Sequence, residues 1–183
     1  VLISSRVVAM KTAFWLTFSA TIIVYAVMVT WSLPTITANA GGLLPFDLRP
    51  MGYSFEEAGA FLRALSDEGR GFYRSVQHRL DLVYPALLAA VLVLATLLLT
   101  PTRWGALRWL LAFPALPGMV FDYLENRAVA AMLSAQVDGL TPEMVEQASL
   151  WTQLKSGLTP LSMVIVLLLL GRYLVLRWRG SAE

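Results

Sequence analysis

Leu110-Leu-Ala-Phe-Pro-Ala-Leu-Pro-Gly118-Met-Val-Phe-Asp122-Tyr-Leu-Glu125-Asn126-Arg127-Ala-Val-Ala-Ala-Met132 begins as a membrane-spanning helix, then sets two carboxylates, an amide and a guanidinium where hydrocarbon is due. On a helix, Gly118, Asp122, Glu125 and Asn126 fall on one stripe, because positions three and four apart are neighbours. The span is therefore polar along one face for about two turns. Ionisable groups inside a span are costly enough that they face a protein interior or a wet cavity, which makes this stripe the first candidate site.

Working outward, the 183 residues are 57% hydrophobic and only 14% charged, where a soluble domain carries about a quarter charged residues. This composition predicts an all-α membrane protein with room for one bundle and no second domain. Apolar runs place four transmembrane helices at about residues 13–33, 81–100, 105–132 and 156–176, each with the ~20 residues or more that cross a bilayer core. The segments 34–80 and 133–155 lie between them. A net charge of +2 does not indicate nucleic acid, because the charges are sorted by membrane side and form no patch. With no cysteine in the chain, disulfides, thiolate metal sites and thiol redox chemistry are all excluded.

Met10-Lys11-Thr-Ala-Phe reads as a natural start, so residues 1–9 read as an upstream extension or an alternative start and are given no structural weight. The run after Lys11 is too long for the apolar core of a secretory signal, although Ala38-Asn39-Ala40 offers a small-residue cleavage site; a retained anchor is expected. Between Pro34 and Gly52, six prolines and glycines predict an extended surface loop. Ser54-Phe-Glu-Glu57 is a capping box, and Phe55, Ala58, Phe61, Leu62 and Leu65 follow at helical spacing. This is an extracytoplasmic amphipathic helix between spans one and two, resting on the bundle. Gly69 and Gly71 interrupt the pattern before span two. Pro114 and Pro117 are expected to bend span three, and Thr141-Pro142 starts the segment before span four.

Arg6, Lys11, Arg103, Arg108, Arg172, Arg177 and Arg179 fall on one side, where Glu183 is the one carboxylate. By the positive-inside rule that side, with both termini, is expected to be cytoplasmic. Trp15, Trp104, Trp109 and Trp178 mark inner span ends, and Trp31 and Trp151 mark outer ones, as interfacial tryptophans should.

Lys155, reached from span four, lies at the depth of Asp122 and Glu125, so the three are expected to be close in space, offsetting one another's desolvation. Asn126 and Asp81, with Arg74, His78 and Arg79, enter the same layer. Three readings fit: a polar lock that fixes helix register, with Asn126 bonding across an interface; a ligand site for a lipid headgroup, quinone or pigment; and acid–base chemistry at Glu125 or Asp122. Asp47 and Arg49 are expected to pair and anchor the long loop. His78 is the single histidine, so no metal or haem site is assigned. No phosphate loop, dinucleotide fingerprint or nucleophile elbow occurs.

Pro45-Phe-Asp-Leu-Arg-Pro50 with Gly52-Tyr53, Glu68-Gly-Arg70 with Tyr73, and Asp122-Tyr-Leu-Glu-Asn126 together resemble a group of bacterial four-span membrane proteins that has no established activity. The resemblance covers most of the chain from Met10 and implies a bacterial inner membrane, but no mechanism. One span, a long outer segment and three further spans are also similar to claudin-like bundles in architecture alone. Taken together, the sequence predicts a non-catalytic accessory or assembly subunit of a larger inner-membrane complex, such as a respiratory or photosynthetic one, with membrane lipids and membrane proteins as partners. The alternative is a small lipid- or quinone-binding protein, an enzyme included, that uses Asp122, Glu125 and Lys155.

Overall fold

The computed structural model describes residues 2–179, with side chains from residue 5 onward; Val1 and Glu183 lie outside the described residues. All regular structure among them is helical. Helix α1 (Leu2–Val27) passes through a π turn (Met28–Ser32) into α2 (Leu33–Asn39). The amphipathic helix is α3 (Phe55–Ala64). A second composite rod joins α4 (Asp67–Phe72), a π turn (Tyr73–Gln77) and α5 (His78–Leu99), and the chain ends with α6 (Ala106–Ala112), α7 (Ala115–Ala135) and α8 (Pro142–Arg179). Three of these rods, Ser5–Asn39, Asp67–Leu99 and Pro142–Arg179, are long and apolar enough to cross a membrane.

Several expected boundaries shift, each for a physical reason. Residues 2–9 are part of α1. Pro34 does not end the first rod: the wider π turn falls in the turn preceding the proline, where its ring would otherwise crowd a main-chain carbonyl. Gly69 and Gly71 do not interrupt the second rod either. Gly69 sits in α4 because the rod presses against α2 and the end of α3 there; a Cβ would run into Asn39 and lie 2.9 Å from Leu65 Cδ1. The last rod begins earlier than the expected 156, since α8 runs unbroken from Pro142 through Pro160, with Thr141 Oγ1 accepting from Met144 N at 3.3 Å as its cap. The third rod breaks at Phe113-Pro114 rather than bending. Leu116 N bonds back to Phe113 O at 3.0 Å before α7 resumes.

Hydroxyls inside the apolar helices return to their own backbone. Thr21, Thr96, Thr100 and Ser162 each donate to the carbonyl four residues earlier, at 2.6 to 3.0 Å. A polar side chain satisfied this way leaves an apolar helix apolar to its surroundings.

Cross-helix contacts fix the packing. Leu97 O accepts from Arg108 Nη2 at 2.6 Å, and Leu82 O from Tyr123 Oη at 2.9 Å, so α5 and α6–α7 run antiparallel. Gly118 lies against Thr159, Asp122 against Lys155 and Glu125 against Thr152, which makes α7 and α8 antiparallel as well. Tyr25 stacks on Tyr84 with centroids 5.9 Å apart, and Trp31 meets Phe72 edge-on at 5.4 Å, setting α1 antiparallel to α5. Both chain ends therefore lie at the end of the bundle that carries Arg103, Arg108 and Arg172. Of the most apolar stretch of α5, 39% is buried within the chain, against 11% for α1 and for α8; α5 is central and the other two are peripheral. Helix α1 turns a narrow seam inward at Phe14, Thr17, Thr21, Val24 and Met28, the alternating three- and four-residue spacing of coiled-coil contacts.

Residues 40–53 form a loop that is exposed at residues 41–44, 48, 50 and 51 but pinned inward at others. Phe46 is fully buried, with its ring 4.7 Å from Tyr53 and 4.8 Å from Phe61. Ile36, Ala40 and Leu62 join it over Met132, Leu133, Val145 and Ala148. Leu43, Leu44, Leu48 and Met51 of this segment stay exposed, while Ala40, Phe46 and Tyr53 anchor it in the main hydrophobic core, a cap over the ends of α7 and α8. Ser54 and Glu57 close the expected capping box at its edge. We predict that Phe61→Ala lowers stability in detergent by about 3–5 kcal/mol, while Met51→Ala, at a residue 87% exposed, changes it by no more than about 0.5 kcal/mol; thermal and denaturant unfolding of the two variants measures the contrast.

Candidate functional site

Directly beneath the cap, the polar stripe of α7 meets α8 and the head of α5. Glu125 is 0% exposed. Its Oε2 pairs with Lys155 Nζ, and its Oε1 accepts the Thr152 hydroxyl at 2.5 Å. Lys155 Nζ also lies 3.4 Å from Asp122 Oδ1. Asn126 Nδ2 donates to that same Oδ1 at 3.2 Å and to Asp81 O at 3.1 Å. Gln77 Nε2 donates to Asp81 Oδ1 at 2.8 Å. The structure thus gathers Asp122, Glu125, Asn126 and Lys155, and ties Asp81 to them through Asn126.

The pairing follows from helix geometry. On α7, Asp122 and Glu125 are one turn apart; on α8, Lys155 and Thr152 have the same spacing in the opposite direction. Antiparallel packing then sets each donor beside an acceptor. Gly118, one turn further along, permits the approach: a Cβ there would lie 3.1 Å from Thr159 Oγ1. Phe121 stacks on Trp151 at 5.5 Å on the flank. Asp122 and Lys155 keep side-chain exposures of 17% and 16%, so the pair is sheltered rather than sealed, and a lone partner there would be a largely uncompensated charge.

Asp47 and Arg49 do not pair with each other. The Tyr73 hydroxyl donates to Asp47 Oδ2, while Arg49 Nε and Nη2 donate to Leu44 O at 3.0 and 2.7 Å. The Arg49 guanidinium also lies over the rings of Phe46 and Phe61, at 5.9 and 5.8 Å. Arginine's flat, multiple-donor group suits a carbonyl and two rings at once, which leaves the shorter Asp47 to reach into the bundle. Both residues hold the loop, through different partners.

Tyr53 carries the cap onto α8. Its N donates to Ser149 Oγ at 3.0 Å, and Gly52, with φ of +83°, lies so close to α8 that a Cβ would meet Ser149 and Gln153. Burial, and after it the Glu125 carboxylate, holds the Tyr53 hydroxyl well above the ordinary phenol range. Thr152, Gln77, Tyr73 and Tyr53 belong to the cluster and are absent from the sequence-based candidates. Two carried a readable signal: Gln77 is four residues before Asp81, and Thr152 is three before Lys155.

Chemically, the charged centre of this site is engaged. Lys155 is held between two carboxylates, and both oxygens of Glu125 have partners. A narrow cleft lined by Tyr73, Arg74, His78, Asp81, Asn126 and Val129 reaches the cluster from one side. Another, lined by Pro85, Leu88, Gly118, Asp122 and Thr159, reaches it from the other. Among the described residues no group of three or more histidine, aspartate or glutamate side chains is arranged to hold a metal ion.

No known family model, curated protein or solved structure matches this chain, so its function is argued from its residues. Lys155→Met is predicted to lower stability by about 3–5 kcal/mol, because it strands Glu125 and Asp122 without their cation. Adding Glu125→Gln to Lys155→Met should recover part of that loss. A double-mutant cycle by denaturant unfolding measures the coupling; strictly additive losses would mean that the two residues do not interact.

Proposed function

We propose that the chain is a four-span protein of a bacterial inner membrane. The broken α6–α7 rod serves as the third span, the cap around α3 stands on the extracytoplasmic side, and both termini are cytoplasmic. Basic residues gathered at one end of the bundle support this orientation. The polar stripe of α7 faces inward, so its charges are not offered to lipid.

Within that frame we propose a non-catalytic accessory or assembly subunit of a larger membrane complex, with membrane proteins and lipids as its partners. The observation that carries this reading is the unpacked apolar surface of the outer helices. On α8, Leu161, Val164, Leu167, Leu168 and Leu174 are exposed, and on α1 Trp15, Leu16, Ile22 and Ile23 are. Meanwhile the chain's polar groups are spent on one another as a register-fixing lock. A small lipid- or quinone-binding protein is the second reading, supported by the cleft that passes Pro85 and Leu88 to reach Asp122.

Native mass spectrometry of the protein extracted from its own membrane in mild detergent separates the two. Stoichiometric protein partners are expected; a lone chain carrying a defined lipid or quinone would overturn the subunit reading in favour of the second. Orientation is tested independently. Because the chain has no cysteine, a single Met51→Cys variant should react with a membrane-impermeant maleimide on intact spheroplasts, and Trp178→Cys only after permeabilisation. The reverse pattern would contradict the proposed topology.

A further inference from the structure

Asp81 immediately precedes the uncharged run of α5, at the level where the cap meets the bundle. It is 6% exposed. Its carboxyl receives one hydrogen bond, from the Gln77 amide, and it forms no ion pair among the described residues. Lys155, the cation of the cluster, is already engaged by Glu125 and Asp122. An ionised carboxylate buried with one neutral donor is poorly compensated. Its neighbours act in both directions: Asp47 from the cap and Asp122 from α7 oppose an ionised Asp81, and Lys155 from α8 favours it, while Asn126 of α7 and Tyr73, Arg74, Gln77 and His78 of its own rod complete its surroundings.

A second observation is independent of that charge argument. Gln77 is 0% exposed, and while its Nε2 is bonded to Asp81, its Oε1 is buried with no donor. A buried amide oxygen left unpaired is costly, and this one belongs to the side chain that already contacts the carboxyl. The π turn Tyr73–Gln77 ends on this residue, and such turns recur at functional sites.

We propose that Asp81 is a proton-binding site: the residue is held as a neutral carboxylic acid whose O–H is donated to Gln77 Oε1. Together with the Gln77 N–H donated to Asp81 Oδ1, this closes a two-bond acid–amide pair. One proton moves from solvent, through the cleft past Arg74 and His78, onto the carboxyl oxygen. No other bond changes. Both orphan features are then explained at once, the buried acid without a cation and the buried acceptor without a donor. The proposal stands apart from the subunit reading, since a proton can be held in this pair whatever the protein's partners are.

The test is infrared spectroscopy of the full chain in lipid at neutral pH, in H2O and in D2O. Subtracting the Asp81→Asn spectrum from that of the wild type should leave a single carbonyl band of a protonated carboxyl, shifted to lower frequency in D2O. Asparagine preserves both hydrogen bonds of the pair, so this variant should fold with unchanged stability. If it does not fold, Gln77→Leu gives the second reading: the acid band should move to higher frequency as its acceptor is lost. Absence of a protonated-carboxyl band in the wild type, its full persistence in Asp81→Asn, or an unmoved band in Gln77→Leu would overturn the assignment.

Discussion

The ammonium of Lys155 stands between Asp122 and Glu125, and the remaining packing is arranged around keeping it there. A buried carboxylate without a cation costs several kcal/mol, a large share of what holds any domain folded. Two on one helix turn would make α7 untenable beside α5 and α8. The chain resolves this with one lysine and a threonine from the facing helix, each arriving at the right height because α7 and α8 are antiparallel. Gly118 lets the two backbones close to the distance at which those side chains meet. Register along the α7–α8 pair is set by this contact more than by apolar packing, which tolerates sliding.

The cap enforces the same contact from above. Phe46, Tyr53 and Phe61 form an aromatic cluster over Met132, Leu133, Val145 and Ala148, so most of the hydrophobic core lies at one end of the bundle. Further down, the buried apolar residues are mostly smaller, Ala89, Val91, Leu92, Ala95, Ala112 and Ala115 among them, and α1 touches α5 along a narrow seam. Helices that pack in an apolar solvent are held by close packing and polar contacts, because burial gains little there. Tyr53 and Tyr73 join the two regimes, one ring face in the core and one polar atom at the cluster.

Much of this was legible in the residues. Apolar runs located three membrane-length helices but not a fourth over residues 105–132, which breaks at Phe113-Pro114; Ser54 and Glu57 fixed the start of α3, and the heights of Asp122, Glu125 and Lys155 predicted their meeting. The parts that were not legible share a cause. Pro34, Gly69 and Gly71 read locally as breaks, but a π turn and close packing keep their helices continuous, and neither is a property of neighbouring residues alone. The segment from Gly41 to Gly52 reads as a surface loop by composition, whereas Phe46 reaches partners far away in the chain. Asp47 and Arg49 are separated by one residue and read as a natural pair; their partners are instead a tyrosine 26 residues on and a carbonyl five residues back. Short-range spacing predicts contacts within a helix and fails where chain reversal supplies the partner.

The most direct test of the central claim, that α7 turns Asp122 and Glu125 into the bundle and holds them there, is amide hydrogen exchange of the full chain in lipid nanodiscs. Protection along α7 from Gly118 to Leu133 should match that of α5, because the cap shields one end and the Lys155 lock holds the middle. Rapid exchange there, with α5 and α8 still protected, would show that the polar stripe is open to water and that no lock holds it.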